Sequence, residues 1–393
     1  EYAGPAAFRA EVLPFSFPES AGEPIYRALE AAQGTVDIAL YLLTCPNAVA
    51  LLCDLAGRGI EVRVLLEGAP LGTDISTELS LMRSLEEAGG TVRLINPPGT
   101  ADGRYTYLHA KYAVIDSTAV VITSENWTSG NLGYGTGNRG WGAVVAGPEY
   151  AAYMTDIFVS DWSEAYGDVR PLTAVYPDLK EYRGDLTYEP PPVQEKTVFE
   201  AGITPVLSPD NSFTAMDTVM AGAETVLYAE QLDLGSSYAG AAAGTPVAWL
   251  QEAARRGVDV RFILDASIGG SAEAHLAAVA LINQTTAVKA IALDGGNGFG
   301  TVHNKGIIAD DSVWLGSVNW TATSLQANRE AAVLITASAA SAFYGALFKE
   351  DWGVNIHTLE EEGPQLSASR AAYAAGGTVV LRAVGPDGME YVW

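Results

Sequence analysis

Apolar runs of strand length alternate with stretches that read as helices through the first half of this chain. Phe8 to Phe17, Thr35 to Thr44, Glu61 to Leu66 and Thr91 to Ile95 are the strand-like runs. Glu23 to Gln33, Pro46 to Gly59 and Glu78 to Ala88 separate them as helices, the second opened by Pro46 and closed by Gly59. Strands alternating with helices predict an α/β fold with a largely buried, mixed or parallel sheet.

The order then repeats. Ala56-Gly-Arg-Gly-Ile-Glu-Val-Arg-Val-Leu-Leu66 matches Ala254-Arg-Arg-Gly-Val-Asp-Val-Arg-Phe-Ile-Leu264, and Phe158-Val-Ser-Asp-Trp162 matches Phe348-Lys-Glu-Asp-Trp352. Similar offsets at both places mean that a whole domain was duplicated, with a period far too long for a solenoid. The predicted organisation is a first half over 1–167, a linker over 168–196 that is rich in Pro, Tyr and charge, a second half over 197–357 and an appendage over 358–393. Glu360-Glu-Glu-Gly-Pro364 breaks the pattern, and Thr378 to Arg382 and Glu390 to Trp393 read as strands of a small further β-domain.

Each half carries one polar set in apolar surroundings. Leu108-His-Ala-Lys-Tyr-Ala-Val-Ile-Asp116 is followed by Ser124-Glu-Asn-Trp127. The set returns as Val302-His-Asn-Lys-Gly-Ile-Ile-Ala-Asp310, followed by Gly316-Ser-Val-Asn-Trp320. Alternate side chains of an extended strand share a face, so His109 with Lys111, and His303 with Lys305, set an imidazole beside an ammonium. Asp116 and Asp310 end their apolar runs in turn residues. Returning strands at Ala119 to Thr123 and Val313 to Leu315 then bring Ser124 and Asn126, or Ser317 and Asn319, back beside them. Positive charge and amide N–H donors suit the non-bridging oxygens of a phosphodiester, and two imidazoles can divide the work of nucleophile and general acid. A lone histidine reads as an ordinary packed one. Duplication of the whole set at matched spacing reads as one site built from two halves.

The pair of H-x-K-x4-D motifs with a trailing G-S-x-N resembles the phospholipase D superfamily, over roughly residues 8 to 355. That resemblance implies a duplicated phospholipase D fold: two similar α/β/α-layered halves with the site at their interface. It implies that one of His109 and His303 attacks phosphorus and forms a phosphohistidine. The other protonates the leaving alcohol and then activates water, with neither metal nor other cofactor. By the same resemblance Lys111, Lys305, Asn126 and Asn319 clamp the phosphate, Ser124 and Ser317 support the clamp, and Asp116 and Asp310 fix the turn. Asn328-Arg-Glu-Ala-Ala-Val333 matches the family's downstream N-x-E, whose carboxylate can serve the histidine of the opposite half. Glu330 then orients His109 as nucleophile and leaves His303 as acid. The first half departs from this pattern, because Asn138-Arg-Gly-Trp-Gly-Ala143 has Gly140 in place of the acid. A carboxylate on one imidazole alone predicts two histidines of different pKa. Glu125 also stands where small or apolar residues are common and brings a carboxylate near an anion site.

Charge bears on the substrate. A net charge of −25, from 47 acidic and 22 basic residues, argues against broad sequence-independent nucleic-acid binding and leaves room for a local basic cleft. Arg104, Arg139 and Arg329 near the motifs are candidates for flanking phosphates. Tyr105, Tyr107, Trp127, Tyr134 and Trp320 are candidates either for base stacking or for ordinary packing. No run of eighteen apolar residues is present, so no membrane-spanning helix is expected. The chain begins at Glu1, which reads as a processed N-terminus and a hint of export. Cys45 and Cys53 on one helix lie about 12 Å apart, beyond disulfide reach, and are expected to be free thiols without zinc partners. Asn126-Trp-Thr128 and Asn319-Trp-Thr321 match glycosylation sequons, but a glycan there would block the pocket. His275 and His357 read as surface or helix-face residues. The stretches Gly295 to Gly300 and Gly130 to Gly140 read as mobile loops at the site mouth, and the former is no dinucleotide fingerprint because a strand follows it.

Three functions fit. The leading expectation is a metal-independent nuclease on single-stranded nucleic acid, since the second motif's neighbourhood resembles the small bacterial endonuclease and lumenal exonuclease branches. A phospholipase D or transphosphatidylase tolerates the acidic surface, although no basic amphipathic helix is evident. The third is a phosphate-binding module without catalysis. In each case the partner is a phosphodiester, nucleic acid or phospholipid, met by a monomer with pseudo-two-fold symmetry.

Overall fold

The structure is a computed structural model that describes residues 8–133, 137–194, 196–268, 270–295 and 298–360, with 382–384 and 390–392, and describes side chains as far as Gly353. The first half runs β1 (Phe8–Phe17), α1 (Glu23–Glu30), β2 (Thr35–Leu40), α2 (Pro46–Gly57), β3 (Glu61–Glu67), α3 (Ser76–Glu87), β4 (Thr91–Ile95), β5 (Lys111–Ile115), β6 (Ala119–Thr123), β7 (Gly140–Ala146) and α4 (Pro148–Trp162). A short strand β8 (Val169–Pro171) and helical turn α5 (Leu172–Val175) follow. The second half repeats the order as β9 (Phe199–Ser208), α6 (Ser212–Gly222), β10 (Val226–Gln231), α7 (Pro246–Arg255), β11 (Asp259–Asp265), α8 (Ala272–Thr285), β12 (Lys289–Leu293), β13 (Lys305–Ala309), β14 (Ser312–Gly316), α9 (Ala322–Gln326), β15 (Glu330–Thr336) and α10 (Ser338–Glu360).

Fifteen of the described strands form one mixed sheet in the order β12-β11-β10-β13-β14-β15-β9-β1-β7-β6-β5-β2-β3-β4-β8. The order reads the same from both ends once equivalent strands are matched, and only β8 lacks a counterpart among the described strands. At the centre β1 pairs antiparallel with β9, and Ala10 faces Ala201, each the third residue of its strand. Equivalent residues opposite each other mark a pseudo-two-fold axis through that pair.

Alternation along the strands explains the layers. In β3, Val62, Val64 and Leu66 join the core beneath α1, α2 and α3, while Arg63 on the other face lies over the Phe158 ring of α4 at 5.3 Å. The second half has its own core, which includes Trp314 and a stacked Phe262–Trp320 pair with centroids 5.1 Å apart. Residues 1–345 make one compact unit and 346–393 a second. The second contains the end of α10 and the antiparallel pair β16 (Arg382–Val384) and β17 (Glu390–Val392). Of the strand expected over Thr378 to Arg382, residues 378–381 lie outside the described residues.

The segment expected as a bare linker does more than connect. β8 extends the sheet by pairing antiparallel with β4, Leu172 is buried in the first core, and Val175, Tyr176, Leu179, Tyr182 and Tyr188 pack against it. Its apolar residues, spaced among Pro and charge, make it a strap along α1 to α3. Cys45 caps α2, Pro46 opens it, and both cysteines are free.

Asp116 and Asp310 sit in the turns after β5 and β13 with φ of 52° and 49°. The Asp116 carboxylate accepts from the amides of Gln33, Gly34 and Thr35 at 2.7 to 2.8 Å. Asp310 accepts from the amides of Glu224, Thr225 and Val226 and from the Thr225 hydroxyl. Each thus ties a motif hairpin to the start of β2 or β10. Partial burial pushes the Asp310 carboxyl up, but these donors outweigh it and hold the group down at about 2. Because the folded-state value lies below the unfolded one, the stabilisation is present above about pH 4 and lost as pH falls toward 2. Asp310→Ala is expected to lower stability by ~1–2 kcal/mol at pH 7, read as a fall in Tm, and the difference from wild type should shrink at pH 3. An unchanged Tm at pH 7 would remove the turn-fixing role.

Candidate active site

The two motif segments do not stay within their own halves. Leu108 forms an isolated parallel bridge with Arg329, and Val302 forms one with Arg139. His109 N–H donates to the Arg329 carbonyl at 2.8 Å and Arg329 N–H to the Tyr107 carbonyl at 2.9 Å. His303 N–H donates to the Arg139 carbonyl at 2.9 Å and Arg139 N–H to the Thr301 carbonyl at 2.8 Å. Each histidine is therefore stitched by backbone to the lead-in of the other half's last strand. A buried carboxylate supports each stitch from below: Glu67 at the end of β3 accepts from Leu108 N–H at 2.8 Å, and Asp265 at the end of β11 accepts from Val302 N–H at 2.9 Å. Neither was singled out from sequence.

This exchange delivers the carboxylates. Glu330, the first residue of β15, sets both oxygens against His109 Nδ1, at 3.0 and 2.8 Å, and is itself held by Asn328 Nδ2 at 2.9 Å. His303 is not left bare. Glu125 Oε1 lies 3.1 Å from its Nδ1, with Asn138 Nδ2 donating to Oε2 at 3.0 Å and Ser124 Oγ to Oε1 at 3.0 Å. The expectation that the gap at Gly140 leaves one histidine without a carboxylate is corrected: the acid comes from the end of β6 rather than the start of β7. The signal was present as two departures from pattern, Gly140 and Glu125, which belong together.

Lys111 and Lys305 are completely buried. Each turns its ammonium back onto the carbonyl of its own histidine, at 2.7 and 2.5 Å, and Lys305 Nζ also lies 3.3 Å from His303 Nδ1. The amide oxygens of Asn126 and Asn319 are buried without a protein hydrogen-bond partner. Ser124 and Ser317 do not line the cleft. Both are completely buried, and their hydroxyls bond the neighbouring strand, Ser124 accepting from Trp141 N–H and Ser317 accepting from Ala331 N–H. The imidazoles keep 15% and 13% of their side-chain surface exposed, so both rings reach solvent.

Burial and the neighbouring ammonium groups outweigh the pull of the carboxylates and hold both imidazoles neutral, His109 down at about 4 and His303 below its ordinary value. The two histidines therefore move the same way. Burial lowers Lys111 to about 7 and Lys305 to about 8. Burial pushes Glu125 and Glu330 up, but the facing histidines and lysines win and keep both ionised at neutral pH. A neutral His109 with Nδ1–H on Glu330 presents Nε2 with its lone pair to a substrate, the arrangement a nucleophile needs.

Several neighbours stand elsewhere than expected. Arg104 spends its guanidinium on Asp168 and the carbonyls of Ser160 and Asp161. Arg139 is buried on the Phe17 carbonyl and Glu19, and Arg329 on Asp161 and Asp210. All three hold loops together, and none is presented to flanking phosphates. Trp127 and Trp320 are completely buried core residues, and Tyr134 lies outside the described residues. His275 is a residue of α8 on its buried rather than its surface side, with Nδ1 2.7 Å from the Asp265 carbonyl and Nε2 3.1 Å from Asp233; the His357 side chain lies outside the described residues. The Gly-rich loops are pinned at their described ends, Gly300 N–H to the Gly137 carbonyl and Arg139 over the Phe299 ring at 4.8 Å. Sequence reading missed Tyr41, whose ring packs against His109 at 4.9 Å and Tyr107 at 6.3 Å. Its position at the end of the β2 run was the available clue. Among the described residues no group of three or more His, Cys, Asp or Glu is placed to hold a metal ion.

Residues 25–162 and 230–352 match the family model described as "Cardiolipin synthase, PLD-like domain". The mitochondrial cardiolipin hydrolase of Homo sapiens is 27% identical over 146 residues, covering 37% of this chain and 52% of that protein. The chain thus spans about half the length of that curated relative. Among solved structures, phosphatidylserine synthase of Haemophilus influenzae Rd KW20 is similar with a TM-score of 0.61 at 14% identity, over 86% of this chain and 85% of that one. Nuc from Salmonella typhimurium, a phospholipase D family member, is similar over 41% of this chain and 96% of that one, at 17% identity and a TM-score of 0.34.

The histidines give a direct test of the site's electrostatics. In an NMR pH titration of the labelled protein, His275 should titrate above the ordinary value near 6.5, since Asp233 and the Asp265 carbonyl favour its charged form over the effect of burial. His109 and His303 should remain neutral well below it. A motif histidine titrating at or above 6.5 would contradict this balance.

Proposed function

The chain belongs to the phospholipase D superfamily, and from this premise we propose that it is a phosphodiesterase that cleaves phospholipid diesters through a covalent phosphohistidine on His109. His109 Nε2 attacks phosphorus, the P–N bond forms and the P–O bond to the leaving alcohol breaks, while His303 gives that alcohol its proton. Water then attacks the phosphohistidine, His303 takes the water's proton, and His109 is released. Lys111, Lys305 and the amides of Asn126 and Asn319 hold the non-bridging oxygens, where they meet the charge that builds in the transition state. His303 is neutral in the empty site and takes up a proton from solvent as the substrate binds, because the diester's anionic charge favours the imidazolium.

The observation that carries the choice of substrate is the inward use of the cations and tryptophans. Arg104, Arg139 and Arg329 are tied up within the protein, and Trp127 and Trp320 are core. With a net charge of −25, the cleft is suited to one diester group rather than to a tracked polyanion. The names of the human and Haemophilus relatives point toward lipid in the same way. A second reading, cleavage of single-stranded nucleic acid, is favoured by Tyr41 and Tyr107 beside His109, since their half-buried rings could stack a base.

The deciding assay offers cardiolipin vesicles, phosphatidylcholine vesicles and labelled single-stranded DNA and RNA in EDTA, with His109→Ala as control. Chelator-resistant lipid cleavage that falls at least ~10³-fold in the variant is the expected result. Cutting of nucleic acid alone would replace the lipid reading, and silence on every substrate would overturn both. For the active substrate, kcat/KM should fall as pH rises past 7 to 8, where Lys111 and Lys305 lose their protons in the free enzyme. It should fall again on the acid side as His109 protonates near pH 4. A flat profile between pH 7 and 10 would show that the lysine charges are not needed.

A further inference from the structure

We propose that the carboxylate serving the second histidine has been relocated from position 140 to position 125, so that Glu125 is the positioning residue of His303 and Gly140 is small because Glu125 occupies its side-chain space. This extends the phosphohistidine reading above and rests on it for its kinetic consequence, though not for its geometry.

Positions 140 and 330 are equivalent by every local measure. Each opens the last strand of its half, and each follows Asn-Arg. Arg139 pairs through its backbone with Thr301 and His303, as Arg329 does with Tyr107 and His109. Asn138 and Asn328 each donate to the acid that faces a histidine. Only the residue itself differs. A Cβ added at Gly140 would lie 2.2 Å from Glu125 Oε1, 2.5 Å from Ser124 Oγ and 2.8 Å from Glu125 Cδ, so the carboxylate, with the serine hydroxyl that donates to it, already fills the place a side chain there would take. The position equivalent to Glu125 in the second half is Val318, completely buried in that half's core. Each half thus supplies one carboxylate to the site, the first from just after β6 and the second from the start of β15. A fully buried carboxylate is tolerated only when paired and hydrogen-bonded, and Glu125 is satisfied by His303, Asn138 and Ser124.

The two acids hold their rings differently. Glu330 gives both oxygens to His109 Nδ1, whereas Glu125 gives one to His303, shares that oxygen with Ser124 and lends the other to Asn138. Lys305 Nζ lies only slightly farther from His303 Nδ1, at 3.3 Å against 3.1 Å for Glu125. A ring held by one carboxylate oxygen beside an ammonium is the looser of the two, which fits the histidine that must give and retake a proton. The carboxylate decides the tautomer, putting the hydrogen on Nδ1 and leaving Nε2 to the cleft.

The test compares wild type with Glu125→Gln, Glu125→Val, Gly140→Glu and the double variant Glu125→Val/Gly140→Glu, with Tm as the measure of folding. The ¹⁵N signals of His303 should report the Nδ1–H tautomer in wild type, lose that preference in Glu125→Gln, which keeps the side-chain shape, and regain it in the double variant. On whichever phosphodiester is turned over, kcat should fall by ~10²-fold in Glu125→Val with KM little changed. The double variant should return to within about tenfold of wild type, while Gly140→Glu alone, with two carboxylates in one space, should lower Tm. An Nε2–H tautomer in wild type, or an unmoved His303 signal in Glu125→Gln, would overturn the proposal. So would a folded double variant no more active than Glu125→Val. The NMR readout needs no substrate, so the assignment of Glu125 can stand or fall separately from the phosphodiesterase chemistry.

Discussion

Four charges held out of water at one seam govern this molecule. Lys111, Lys305, Glu125 and Glu330 are completely buried, and single ions so placed would be intolerable without partners. Two cations against two anions make a neutral set, and the sheet is arranged so that the set closes only when both halves are present. The backbone exchange at Arg139 and Arg329 brings each carboxylate to the histidine it faces, and the antiparallel seam of β1 on β9 sets the distance over which that exchange must reach. Asp116, Asp310, Glu67 and Asp265 then fix the ends of the motif segments, so that the rings have little freedom to leave the arrangement.

Much of this could be read from residue order alone, because it rests on periodicity and repetition. Phe8 to Phe17 and Thr91 to Ile95 are strands to the residue. The helices at Glu23, Pro46 and Glu78 start within two residues of expectation and end one to three residues early, as fraying ends do. The duplication pointed to one site from two halves, and the match at Glu330 pointed to its service of His109. What failed were readings that treated a residue's type as its environment. Arginines near the motifs read as candidates for flanking phosphates, yet Arg139 and Arg329 are buried clamps. For the motif tryptophans, of the two readings left open, base stacking or ordinary packing, the structure has packing: Trp127 and Trp320 anchor the first and second cores. His275 was given no partner because Asp233 lies 42 positions away in the chain. Glu125 was the most instructive miss: seen as a blemish at an anion site, it is a replacement for the acid that Gly140 lacks, and only three-dimensional neighbourhood joins the two.

The site's protonation pattern follows from the same burial. Neutral imidazoles, with two ionised carboxylates set against two lysine ammonium groups, make a pocket with little standing charge. On the proposed reading, an arriving diester anion completes the electrostatics rather than being drawn in from afar. That suits a protein whose surface is strongly acidic, because the long-range field cannot help an anion approach. Selectivity then has to come from what lies at short range around the two rings, and the sides differ there, with Tyr41 and Tyr107 at His109 and Ser267 joined to Thr301 near His303.

The central pairing of Ala10 with Ala201 has an evolutionary side. Two identical chains related by a true two-fold axis would build the same seam, but every change would then appear twice. A carboxylate moved in one copy would move in the other, and both histidines would stay alike. Joining the copies through the strap that carries β8 frees the sequence from that constraint. One half can keep its acid on the last strand and a valine behind it, while the other does the reverse, and two rings of common descent can drift toward different work.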